Sequence, residues 1–97
     1  MNQGIVKIIE ISGQAVTSDD GVAVLHAILL ELKSQKQVEL SFAEIHYVTS
    51  SFLNASLMTI AEEFGEAKFK SALKVTDANR QVADTIRYRM SHQFPQS

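Results

Sequence analysis

Ninety-seven residues provide for one hydrophobic core and leave no room for two, so a single domain over residues 1–97 is expected, with its core over 5–90 and a flexible tail over 91–97. Nine Lys and Arg against eleven Asp and Glu give a formal net charge of -2. Without a domain-wide positive field, neither nucleic acid nor an anionic membrane surface is an expected partner.

Cysteine is absent, which excludes disulfides, thiolate nucleophiles and thiolate metal sites together. The first residues carry no apolar stretch of signal-peptide length, and no run approaches the roughly 20 apolar residues of a membrane span. A cytoplasmic location is the resulting expectation.

The run Ile5, Val6, Ile8, Ile9 and Ile11 is β-branched, broken only by Lys7 and Glu10, and ended by Ser12-Gly13. It is too short for a helix and predicts a first strand. Thr17, followed three positions later by Asp20, forms a variant of the capping box, with the acidic residues facing the positive end of a helix. Val22, Leu25, Ile28, Leu29 and Leu32 then recur at spacings of three and four, which predicts that the helix buries that face.

Val38-Glu39-Leu40-Ser41-Phe42 alternates and predicts a second strand with Val38, Leu40 and Phe42 on one side. Ala43 to Thr49 is a connection in which Ile45, Tyr47 and Val48 are candidates to extend or re-enter the sheet edge. Leu53, Leu57, Ile60, Ala61 and Phe64 mark the inner stripe of a second helix, which Gly65 weakens or ends. Ala72 to Thr76 predicts a third strand, and Asp77 a cap for a third helix carrying Val82, Ile86 and Met90 at intervals of four. The alternation predicts a small α/β fold with a mixed, largely parallel sheet. Leu40, Leu53, Leu57, Ile60, Val75 and Ile86 are expected to share its core.

Little in the chain has the pattern of catalysis. His26, His46 and His92 fall in three different elements at no metal-ligand spacing, so no metal or cofactor is expected. Asp19-Asp20 suits a helix start better than a magnesium site, and Gly13 and Gly21 are too isolated to cradle a phosphate. Arg80, Arg87 and Arg89 read as a solvated helix face. An enzyme using Ser50 or Ser51 would need a base that the sequence does not supply. The expectation is therefore that the protein is not an enzyme.

The segment from Val38 to Leu57 differs. A strand is followed, after a short loop, by Thr49-Ser50-Ser51 at a predicted helix start, which sets hydroxyls at the carboxyl end of a strand, where α/β sheets concentrate binding sites. Helix capping explains one such hydroxyl; three in a row beside Asn54 suit a recognition surface as well.

This segment resembles the STAS superfamily of bacterial anti-sigma-factor antagonists, and within it the STAS-like branch. The antagonist pattern is a strand ending in D-L-S, then hydrophobic residues, then D-S-S-G-L-G opening a helix. Leu40-Ser41-Phe42 takes the place of the strand end, and Thr49-Ser50-Ser51-Phe52-Leu53-Asn54 that of the second motif. The S-S-F-L often found in the STAS-like branch is matched by Ser50-Ser51-Phe52-Leu53.

The resemblance implies a regulatory, protein-binding module whose partner is a GHKL-type ATPase or kinase. It implies a partner-binding surface of Ser41, Thr49, Ser50, Ser51, Phe52 and Asn54, with Ser50 the phosphorylation site. The sequence departs from the pattern where Thr49 replaces aspartate, Ser41 an acidic residue and Phe52 a glycine, which leaves binding without phosphorylation open. The alternative function is a structural subunit that forms a homodimer or larger homo-oligomer, with Phe69, Tyr88 and Phe94 as candidate apolar contacts.

Overall fold

A computed structural model describes residues 3–93. Its elements in chain order are β1 (Gln3–Lys7), α1 (Ile8–Ile11), α2 (Ser18–Leu32), β2 (Gln37–Ser41), α3 (Ser50–Ala55), α4 (Leu57–Phe64), α5 (Glu66–Ala72), β3 (Leu73–Thr76) and α6 (Arg80–Gln93). The three strands pair in parallel in the order β1-β2-β3. The fold is thus the small α/β arrangement expected from the alternating pattern. Helix α6 continues through Gln93, and Phe94 with the rest of the expected tail lies outside the described residues.

The register sets Val6 beside Leu40 and Leu40 beside Val75, with Ile5, Glu39 and Lys74 aligned on the opposite face. Val6, Val38, Leu40 and Leu73 are buried, whereas Ile5, Lys7 and Lys74 are exposed. Only one face of this sheet therefore joins the core, although an all-parallel sheet is ordinarily covered on both. Leu40, Leu53, Leu57 and Ile60 are buried as expected. Val75, on the edge strand β3, is instead 37% exposed, and Ile86 is only partly buried against the core.

Several boundaries differ from the sequence expectation. The first strand ends at Lys7, opposite the last residue of β2, and Ile8 to Ile11 form a helical turn that buries Ile8. Past Lys7 the ladder has no partner left, so the apolar run satisfies its backbone locally. Ile45 and Val48 are buried from a loop and take no part in the sheet, and Tyr47 is exposed.

The second helix is interrupted at Ser56, whose φ of -112° and ψ of -85° separate α3 from α4. The buried Ser56 hydroxyl donates to the Phe52 carbonyl at 2.7 Å, a local bond that competes with regular helix geometry. Gly65, at a φ of 81°, ends α4 as expected. The additional helix α5 follows and buries Phe69, which corrects the expectation of a partly exposed contact there. Asn79, not Asp77, caps α6: its Oδ1 accepts the Val82 N–H at 2.8 Å. Asp77 has a left-handed φ of 59° and belongs to the turn before the helix.

Helix α2 is turned relative to the predicted stripe. Gly21, Val24 and Ile28 are buried, while Val22 and Leu29 are exposed. The cause is the approach of α3. A Cβ at position 21 would lie 2.6 Å from the Phe52 carbonyl oxygen and 2.8 Å from the Ala55 Cβ. Alanine would gain about 1 kcal/mol in helix propensity, but the backbone of α3 would have to move. Gly21→Ala is therefore expected to lower stability by about 1 kcal/mol or more in urea denaturation, and a stabilised variant would contradict this contact.

Candidate functional site

The candidate site is assembled where the loop between α1 and α2 meets the loop after β2. Thr49 joins them. Its N–H donates to the Ala15 carbonyl at 3.2 Å, and its hydroxyl donates to the Val16 carbonyl. The same hydroxyl oxygen accepts the Phe52 N–H at 3.2 Å, which makes Thr49 the N-cap of α3. The strand end is tied in as well: the buried Ser41 hydroxyl donates to Asp77 Oδ2 at 2.8 Å and accepts the Ala43 N–H at 3.2 Å.

Ser50, Ser51 and Asn54 project from this anchored start and are exposed. Neither the Ser50 nor the Ser51 hydroxyl has a hydrogen-bond partner among the described residues. Asn54 is held from α6, where an Arg89 Nη2 donates to its Oδ1. Phe52 and Leu53 point the other way, into the core, and are fully buried. The short helix thus divides into a polar outer face and an apolar inner one.

The loop carrying Ala15 and Val16 has its own lock. The Asp20 carboxylate accepts the N–H groups of Thr17 at 2.9 Å and Val16 at 3.2 Å and the Gln14 side-chain amide at 3.1 Å. The Thr17 hydroxyl accepts the Asp20 N–H at 3.0 Å, which completes the capping box expected from the sequence. These bonds, led by that from the Thr17 backbone, hold the Asp20 carboxyl below the ordinary aspartate value, against desolvation acting in the other direction.

Because the folded-state value is lowered, this stabilisation is fully present above the unfolded-state value and is lost as pH falls through the folded one. Asp20→Asn is expected to flatten the acid dependence of the thermal midpoint below about pH 4. An unchanged acid profile would mean that the carboxylate does not lock the loop.

Between the two loops lies a cavity of about 140 Å³, lined in part by Ala15, Val16, Glu44, His46 and Tyr47. It is smaller than the roughly 300–1,000 Å³ of ordinary small-molecule sites. Among the described residues, no group of three or more His, Cys, Asp or Glu could hold a metal ion. Nor, among them, is any helix long and apolar enough to cross a membrane.

A family model described as a STAS-like domain of unknown function (DUF4325) matches residues 20–83, well over half of the chain. The chain belongs to this STAS-like family. No curated protein and no solved structure matches it. The matched span runs from the start of α2 into α6 and includes β2, β3 and the whole of α3. A STAS-like domain reads as a regulatory or binding module.

Within this STAS-like domain, the six residues singled out from the sequence separate into two groups. Ser50, Ser51 and Asn54 share the outer surface of α3. Phe52 does not, because it is fully buried and packs in the core. Ser41 is also buried, with its hydroxyl committed to Asp77 and Ala43, and Thr49 is committed to capping and to the Val16 carbonyl. The expectation that Phe52 and Ser41 contact a partner is corrected on this ground: Phe52 supplies packing, and Ser41 a brace between strand ends.

Two residues of the site were missed. A glycine inside a helix is a sequence signal for close approach, and Gly21 is such a residue. Arg89 carried no signal of its own beside Arg80 and Arg87. It is nevertheless partly buried and reaches α3, so it is not part of a wholly solvated face.

Proposed function

We propose that this STAS-like domain is a non-catalytic cytoplasmic regulator that switches a protein partner, a GHKL-type ATPase or kinase, through the surface of Ser50, Ser51 and Asn54. Ser50 is the phosphoacceptor. The observation that carries this reading is the division of labour at α3: Thr49 performs the capping, which leaves the two serine hydroxyls exposed and unengaged. Capping therefore does not account for them. The partner class comes from the likeness of Thr49 to Asn54 to the antagonist motif.

In the unphosphorylated form the hydroxyl face docks against the partner. The partner's ATP then transfers its γ-phosphoryl group to Ser50 Oγ; the new O–P bond replaces the bond to ADP, which leaves, and the hydroxyl proton is released. The product carries roughly -1.5 to -2 additional charge where the partner surface had accommodated a neutral group. Release follows because the partner surface, fitted to a neutral hydroxyl, supplies no counter-ion to the new charge.

A homo-oligomeric structural role is the second reading. Its support is the outer edges of β1 and β3, which pair with no further strand among the described residues, together with Ile5 at 56% and Tyr88 at 64% exposure. Light scattering on the purified chain separates the two. A monomer that captures an ATPase from lysate, identified by mass spectrometry, supports the switch, whereas a tight oligomer that captures none supports the structural role.

A further inference from the structure

The three arginines of α6 have different surroundings. Arg80 is exposed, and Arg87 pairs in solvent with Asp84 at 2.9 Å. Arg89 is partly buried, and its Nε is a buried atom with no hydrogen-bond partner. Its Nη2 donates to Asn54 Oδ1, and among the described residues it forms no ion pair. A guanidinium in this state has a neutral acceptor and an unsatisfied buried donor. Its fork-shaped array of N–H groups is better matched by two oxygens of an oxyanion, whose charge-assisted bonds are shorter and about twice as strong as neutral ones.

The helical geometry of α3 shows which serine could supply that oxyanion. Arg89 of α6 reaches Asn54, while Gly21 of α2 lies against Phe52 and Ala55, so the two helices occupy different flanks of α3. At 3.6 residues per turn, Ser50 lies about 40° around the helix from Asn54 and about 140° from Ala55, whereas Ser51 lies about 40° from Ala55. Ser50 is therefore on the α6 flank and Ser51 on the α2 flank. Ser50 and Asn54 are also separated by one turn, about 5–6 Å between Cβ atoms, and the Asn54 side chain leans toward Ser50.

We infer that a phosphate on Ser50 is captured within the molecule by Arg89, which exchanges its bond to Asn54 for a two-point contact with phosphate oxygens. The exchange ties α6 to the start of α3 and frees the exposed Asn54 amide from its bond to Arg89. The modification thus changes the shape of the docking face as well as its charge. This inference rests on Ser50 being the phosphoacceptor proposed above.

The test uses the full chain with phosphoserine placed at position 50 by an orthogonal suppressor tRNA, so no cognate kinase is needed. Hydrogen exchange at the α6 amides of Ile86 to Met90 is expected to slow about tenfold, as one bond to a charged group implies. The slowing is expected to vanish in Arg89→Gln and to be absent when phosphoserine is placed at 51. Unchanged exchange with phosphoserine at 50, equal slowing in Arg89→Gln, or equal slowing from position 51 would each overturn the capture.

Affinity for the captured ATPase is measured on the same proteins. If α6 slows through Arg89 while the ATPase binds both forms alike, the capture stands and the proposed switch falls. If the ATPase is released while α6 exchange is unchanged, the switch stands and the capture falls.

Discussion

Phe52→Ala is expected to cost about 3–5 kcal/mol of folding stability. The ring is fully buried, and the residue lies between the α3 cap and the Ser56 bond: its N–H goes to Thr49 and its carbonyl accepts the Ser56 hydroxyl. Removing the ring loses its transfer free energy and leaves a cavity in the core beneath α3. Against a total stability of about 5–15 kcal/mol for a domain of this size, such a loss is conspicuous in a denaturant midpoint. A contact residue on a partner surface would behave differently, with stability changing by no more than about 0.5 kcal/mol. A loss within that surface range would return Phe52 to the docking face and contradict the packing of α3 described here.

That residue also illustrates what a single sequence makes legible. Periodicity located Leu53, Leu57 and Ile60 in the core, because their spacing suits a helix whether or not it is broken. The break at Ser56 depends on a side-chain bond that has no periodic signal. The burial of Phe52 was hidden by the motif itself, since the antagonist pattern carries glycine at that position and a glycine has no side chain to orient.

The stripe of α2 was misjudged for a related reason. Apolar spacing favoured Val22 and Leu29, but the buried face runs through Gly21, Val24 and Ile28, and Gly21 contributes nothing to a hydrophobic pattern. Local polar signals fared better where donor and acceptor are near in sequence. The Thr17–Asp20 box was readable, whereas the Thr49–Val16, Ser41–Asp77 and Arg89–Asn54 contacts join residues 33 to 36 positions apart.

Ser50→Asp is expected to leave the fold intact and to weaken partner binding by about 2–5 kcal/mol, on the order of 30- to 5,000-fold in Kd. The fold is expected to tolerate the change because position 50 is exposed, its hydroxyl bonds to nothing among the described residues, and Thr49 retains the cap. Stability should therefore change by about 1 kcal/mol or less. Binding responds more strongly because the partner face, complementary to a neutral hydroxyl, offers no counter-ion to a carboxylate pressed against it. Ser50→Ala carries no charge and is expected to retain most of the affinity. The most direct measurement is a calorimetric titration of the captured ATPase with wild type, Ser50→Ala and Ser50→Asp, with thermal unfolding followed on the same preparations. Three similar unfolding midpoints and a large loss of affinity confined to the aspartate form are expected. A folded Ser50→Asp protein that binds as tightly as wild type would contradict it.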